Sequence, residues 1–197
     1  MLKRIVYTAL QAWHHRYQLI KFNSSLYQIN HIVELTQKQL IQNGVKVLAL
    51  DFDGVLASHG QIEIDHKIQK WLSQMTLPVY ILTNKPFAAR LAHLKQYSNL
   101  KVITHVKKKP YPDGLEKILN ETQVQPTEVL LVDDRLLTGM LATCIAGTQG
   151  IWVVLPLKNY KDHLIIESGF ELLRVCERVG IKVLKGLFCA FKYLRGR

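Results

Sequence analysis

A chain of 197 residues, 48% of them hydrophobic and 21% charged, is long enough to bury one sizeable core and too apolar to stay disordered. The net charge of +11 sits at the ends: residues 1–43 carry +4 and 171–197 carry +5, which leaves 44–170 near neutral at +2. Three cysteines, Cys144, Cys176 and Cys189, have neither an even count nor CxxC spacing, which argues against a disulfide framework or a zinc site and fits a reducing, cytoplasmic compartment.

The first twenty residues read as a basic amphipathic helix. Leu2, Ile5, Val6, Leu10, Trp13, Tyr17 and Ile20 oppose Lys3, Arg4, His14, Arg16 and Lys21. Its apolar stretch is broken too soon for a signal peptide, but the first acid is Glu34, and an acid-poor amphipathic start also reads as an organelle transit segment. From Val45 onward short apolar runs alternate with helical patterns. Strands are predicted at 45–51, 78–83, 101–106, 128–133 and 150–156, and helices at 64–76, 86–96, 113–123 and 136–146. Pro86 and Pro112 stand near two helix starts, where proline is tolerated.

Strands with no polar alternation, each followed by a helix, define an α/β fold with a parallel sheet covered on both faces. Residues 136–157 are uncharged and long enough to span a bilayer, yet Gly139, Gly147, Gln149 and Gly150 divide them into a helix, a turn and a strand. The run 181–197 is again helical and basic: Val183, Leu184, Leu187, Phe188, Ala190, Phe191 and Leu194 face away from Lys182, Lys185 and Lys192. The organisation is therefore a basic helical segment (1–43), an α/β domain (44–170) and a basic amphipathic C-terminal helix (171–197).

In such sheets ligands bind beyond the carboxyl ends of the strands. The strand ends here deliver Asp51 and Asp53, then Thr83 and Asn84, then Lys109 before Pro110, then Asp133 and Asp134. Four carboxylates along one sheet edge would repel one another and raise their own pKa values. A magnesium ion resolves the repulsion, because it prefers oxygen ligands and keeps waters for a substrate to displace.

The stretches "DFDGV", "LTN", "KKP" and "LLVDD" resemble, in order and strand context, the phosphatase motifs of the haloacid dehalogenase (HAD) superfamily. Over about residues 35–180 the chain is similar to the branch of phosphatidylglycerophosphate phosphatases. The resemblance implies a Rossmann-like HAD fold, with Asp51 as nucleophile and Asp53 as acid and then base. Thr83 and Asn84 would bind phosphoryl oxygens, and Lys109 would offset charge. Asp51, the Asp53 carbonyl and Asp134 would hold Mg2+. Two departures stand out. Asp133 replaces the branch's usual glycine and Gly139 its last aspartate, so Asp133 is a candidate substitute ligand, while Gly54-Val55 is the form of other HAD phosphatases.

The spacing between motifs leaves room for no sizeable cap, which predicts an open site suited to a phosphate on something bulky. The two basic amphipathic ends favour a phospholipid on an anionic membrane, with the protein peripheral to it. The alternative for those ends is that both dock on the domain, apolar face inward. Nucleic acid fits less well, because the basic residues alternate with large aliphatic faces. Two other functions remain in view: a scaffold that lost turnover with the aspartate at 139, and a phosphatase of nucleotides or nucleic-acid ends.

Overall fold

The computed structural model describes residues 2–195, with side chains as far as residue 186. The apolar face expected at Leu187, Phe188, Ala190, Phe191 and Leu194, with Lys192 opposite, therefore lies outside the described side chains. The chain opens with α1 (Leu2–His14) and α2 (Arg16–Lys21), then a two-residue strand β1 (Gln28–Ile29) and α3 (Gln37–Gln42). Helix α3 starts where Thr36 accepts a hydrogen bond from Gln39 N while the Gln39 side chain reaches back to the cap, a reciprocal box that satisfies two free donors.

There follow β2 (Val47–Leu50), α4 (His66–Ser73), β3 (Val79–Ile81), α5 (Ala88–Leu94), β4 (Leu100–Val102) and α6 (Asp113–Thr122). The last third contains β5 (Val129–Asp133), a π-helical turn (Leu136–Met140), α7 (Leu141–Ala146), β6 (Gln149–Val153) and α8 (Tyr160–Arg195).

Among the described residues six strands form one parallel sheet, in the order β1-β6-β5-β2-β3-β4. Alternate residues of the central strands feed two cores. Leu48, Leu50, Leu130, Val132 and Ile81 pack with α4 and Leu94 on one face, and Val47, Ala49, Val129, Leu131 and Tyr80 pack with α6 and Ala142 on the other. Burial on both faces is why these strands lack polar alternation. Each Val, Leu or Ile side chain so buried contributes about 1.5–3 kcal/mol.

Three expectations are corrected. Strand β4 ends at Val102, short of 106: His105 takes a left-handed conformation (φ 58°), and the following lysines leave the sheet. Residues 1–43 are not helical alone, because β1 adds an edge strand against β6. The helix expected to begin near 171 begins at Tyr160, with one non-helical residue at His163 (φ −134°, ψ 42°), so the boundary placed at 170/171 falls inside it. Among the described residues no helix is long and apolar enough to cross a membrane, and 136–157 divides into a helix, a glycine turn and a strand as its glycines suggest.

Candidate active site

β2 and β5 are neighbours, so the chain leaving them brings Asp51 beside Asp133 and Asp134. All three carboxylates are buried, and one oxygen from each lies within 4.8 Å of the others. Into this cluster comes Lys109, itself buried, with Nζ 3.0 Å from Asp51 Oδ1 and in close contact with Asp133 Oδ2. The two lysines before it, Lys107 and Lys108, are exposed, so of that run only Lys109 belongs to the site. Asn84 explains how Lys109 is placed. Its Oδ1 accepts from Lys109 N at 2.8 Å and its Nδ2 donates to the Lys109 carbonyl at 3.4 Å. The Asn84 carboxamide thus fixes the lysine's backbone. Thr83 is buried beside it, its hydroxyl accepting from Lys85 N at 3.1 Å.

The oxygens are not used equally. Hydrogen bonds to Asp51 fall on Oδ1, from Phe52 N at 2.8 Å, and those to Asp134 fall on Oδ2, from Arg174 Nε at 2.7 Å. Asp133 spends both: Oδ1 accepts from Arg135 N and Oδ2 from Lys109. Among the described residues Asp51 Oδ2 and Asp134 Oδ1 therefore carry no hydrogen bond. The turn after β2 also leaves the Asp53 carbonyl out of its hydrogen bonds, since Gly54 N donates to Ala57 O while Leu56 N and Ala57 N both donate to Phe52 O.

Burial pushes the Asp51 carboxyl well above the usual carboxylate range, with Lys109 pulling the other way and Asp133, Asp134 and Asp53 adding to the rise. Burial likewise carries Asp134 up to about 7 against the opposing pull of Arg174. Burial works against the Lys109 ammonium, but Asp133 and Asp51 outweigh it and hold that amine above its ordinary pKa. A buried all-oxygen cluster whose acids are this short of countercharge fits a hard divalent cation.

Two glycines make the packing possible. A Cβ at Gly54 (φ +86°) would lie 2.6 Å from Asp134 Oδ2, and one at Gly139 would lie 2.1 Å from Asp133 Cγ. The second contact accounts for the exchanged pair in the last motif, because the carboxylate of Asp133 fills the space where a side chain at 139 would begin. Gly139→Asp alone should therefore destabilise by about 1–3 kcal/mol through overpacking. The double variant Asp133→Gly/Gly139→Asp, which returns one carboxylate to that space, should recover most of the loss in thermal denaturation.

Sequence reasoning missed four residues around this centre. Arg90, fully buried, grips Asp53 with Nη2 to Oδ1 at 2.9 Å and Nη1 to Oδ2 at 3.1 Å, its guanidinium over the Phe52 ring at 3.9 Å. The other three come from α8. Glu167 accepts from His59 N at 3.0 Å, Arg174 holds Asp134, and Glu177 accepts from Leu136 N at 2.9 Å and from Arg135 Nε at 2.8 Å. His59 is a packing residue: burial lowers its pKa to about 4, so the neutral ring pairs with Glu167 at 3.2 Å and stacks on Phe170 at 3.8 Å. His66 and His105 are exposed. No domain is inserted between the motifs, as expected, but the open site is not found, because α8 lies across the strand ends. The signal was present in its spacing: Glu167, Phe170, Arg174, Glu177, Ile181 and Leu184 recur at three- and four-residue steps on one face.

The parallel sheet with its carboxylate cluster and lysine at the strand ends is the arrangement that the HAD resemblance implies. More narrowly, the chain belongs to the family described as mitochondrial PGP phosphatase, whose model matches residues 10–158. It is also similar to the glyceraldehyde 3-phosphate phosphatase of Pyrococcus furiosus, 33% identical over 79 residues that cover 36% of this chain and 32% of that protein. The chain thus matches about a third of that relative's length.

Among solved structures, an uncharacterized protein from Listeria monocytogenes serotype 4b aligns at 13% identity over 66% of this chain and 99% of its own, with a TM-score of 0.48. The 3-deoxy-D-manno-octulosonate 8-phosphate phosphatase of Moraxella catarrhalis aligns at 16% identity over 81% and 99%, with a TM-score of 0.42.

Proposed function

We propose that the protein hydrolyses a phosphomonoester through an aspartyl-phosphate on Asp51, with Mg2+ as cofactor, and that its substrate is phosphatidylglycerophosphate at a membrane surface. The observation that carries the catalytic part is the division of oxygens: Asp51 Oδ2 and Asp134 Oδ1 are free of hydrogen bonds inside a cluster otherwise tied to Lys109, Arg135 and Arg174. Asp51, Asp134 and the Asp53 carbonyl would hold the magnesium, which when bound supplies positive charge to the phosphoryl oxygens.

In the first step a carboxylate oxygen of Asp51 forms a bond to phosphorus as the ester oxygen leaves, and Asp53 gives the leaving oxygen a proton. In the second step water attacks phosphorus, Asp53 takes the water's proton, and the Asp51 carboxylate departs. Lys109 balances charge on the nucleophile in both steps, and the Thr83 hydroxyl faces the phosphoryl oxygens. Asp133 already gives both oxygens to Lys109 and Arg135 N, so its part is to orient the lysine. Both oxygens of Asp53 are held by Arg90, so proton transfer requires one of those two bonds to open.

The lipid assignment draws on the family and on the outer surface. On α1, Leu2 (73% exposed), Ile5, Val6, Leu10 and Trp13 face solvent beside Lys3 and Arg4. On α8, Ile165 (87%), Leu172, Val179 and Val183 do the same near Lys182 and Lys185. These helices dock through Ala12 and Ile181, which meet Leu19 of α2, and leave most of their large apolar residues outward, an arrangement that suits an anionic interface. Phosphate release from phosphatidylglycerophosphate in anionic vesicles should exceed release from a soluble phosphomonoester. Salt should lower the first and not the second. Equal rates on both, with no salt effect, would remove the membrane from the proposal.

A further inference from the structure

The side chains of α8 that face the domain do more than cover it. Glu167 binds the loop after Asp53 through His59, and Glu177 binds the turn after Asp134 through Arg135, Leu136 N and Leu137 N. Between them Arg174, 4% exposed, places Nε 2.7 Å and Nη2 2.6 Å from one and the same oxygen, Asp134 Oδ2. The first is a hydrogen bond. The second is aligned for charge and not for bonding, since Nη2 has no hydrogen-bond partner. A Cβ added at Gly54 would sit 2.6 Å from the same oxygen, so the turn after β2 crowds it as well. Asp134 Oδ2 is therefore walled in by the guanidinium and the turn after β2, and Oδ1 is the oxygen left to the cluster.

We infer that Arg174 is a positioning residue for the divalent cation: by holding Asp134 through Oδ2 it presents Oδ1 to the metal, which makes the C-terminal helix a working part of the site. This rests on the phosphatase reading above. Outer-shell partners that orient a ligating carboxylate typically contribute ten- to a hundredfold in metal affinity. A free carboxylate at this depth would have to be fixed by the metal itself, and that ordering would weaken binding.

The test is Mg2+ binding to the full chain by calorimetry, with no substrate present, in wild type, Arg174→Gln, Arg174→Lys and Glu167→Gln. Arg174→Gln should bind Mg2+ ten- to a hundredfold more weakly, while Arg174→Lys, with one donor left, should fall in between. Glu167→Gln loosens the same helix without touching Asp134, so it should lower the melting temperature and leave Mg2+ affinity unchanged. At saturating Mg2+, turnover by Arg174→Gln should return most of the way to wild type. If Arg174→Gln fails to fold, the lysine variant against Glu167→Gln carries the same comparison. The inference is overturned if folded Arg174 variants bind Mg2+ as tightly as wild type or tighter, or if Glu167→Gln weakens binding equally. A wild type that binds no Mg2+ at all would instead sink the phosphatase reading beneath it.

Discussion

Lys109→Met should cut turnover severely and cost the fold much of its stability in one change. The ammonium lies among two buried carboxylates, 3.0 Å from Asp51 and in contact with Asp133, and burial already raises Asp51 well above its usual range. Removing one partner of a buried pair costs about 3–5 kcal/mol, because the other is left charged and unpaired. That is a large share of the 5–15 kcal/mol typical of a whole domain. Catalysis loses the charge that balances nucleophile and phosphoryl group, a loss of about 10²–10³ in turnover for one electrostatic contact. Chemical denaturation and phosphate release measured on the same sample separate the two effects. A variant that is as stable as wild type would show that Lys109 is not the countercharge of the cluster.

Deleting the whole of α8, residues 160–197, should prevent folding, whereas deleting 187–197 should leave hydrolysis of a soluble phosphate unchanged. The longer cut strands the buried His59, Asp134 and Arg135, each of which now pairs with a charged residue of α8. It also removes Ile181 from the cluster formed by Ala12, Leu19, Met140 and Trp152. The Arg174–Asp134 and Glu177–Arg135 pairs are ionic and each costs about as much to break as the lysine above, which with the lost packing rivals the stability of an ordinary domain, while the neutral His59 adds less. The shorter cut keeps every one of these contacts. Circular dichroism melts and assays of both truncations check the contrast. A folded, active 1–159 fragment would refute the view that α8 belongs to the catalytic unit. The sequence read the end of this helix as a basic amphipathic surface suited to lipid, but its domain-facing side also holds a stripe of charged residues.

That stripe marks where the sequence was legible and where it was not. The buried strands announced themselves because burial on both faces removes polar alternation, and Asp51, Asp133 and Asp134 could be placed because a parallel sheet sends its strand ends to one edge. Lys109 could be chosen over Lys107 and Lys108 only by its motif, since nothing in a run of three lysines says which one turns inward. Arg90 carried no signal: its fork on Asp53 joins residues 37 apart, and an arginine early in a helix ordinarily faces water. The strand at Gln28–Ile29 was too short to show a period. The Asp133–Gly139 exchange was visible as an oddity, but only the 2.1 Å approach explains why one residue must be small when the other is large.

The central claim, that Asp51 is the nucleophile of a phosphatase, is tested most directly by trapping the covalent intermediate. Protein mixed with Mg2+ and phosphatidylglycerophosphate radiolabelled in its terminal phosphate, then quenched in acid within milliseconds, should carry label on the peptide containing Asp51. The label should chase off as free phosphate and be missing from Asp51→Asn. Turnover with no labelled protein at any time point, or label that persists in Asp51→Asn, would contradict the account.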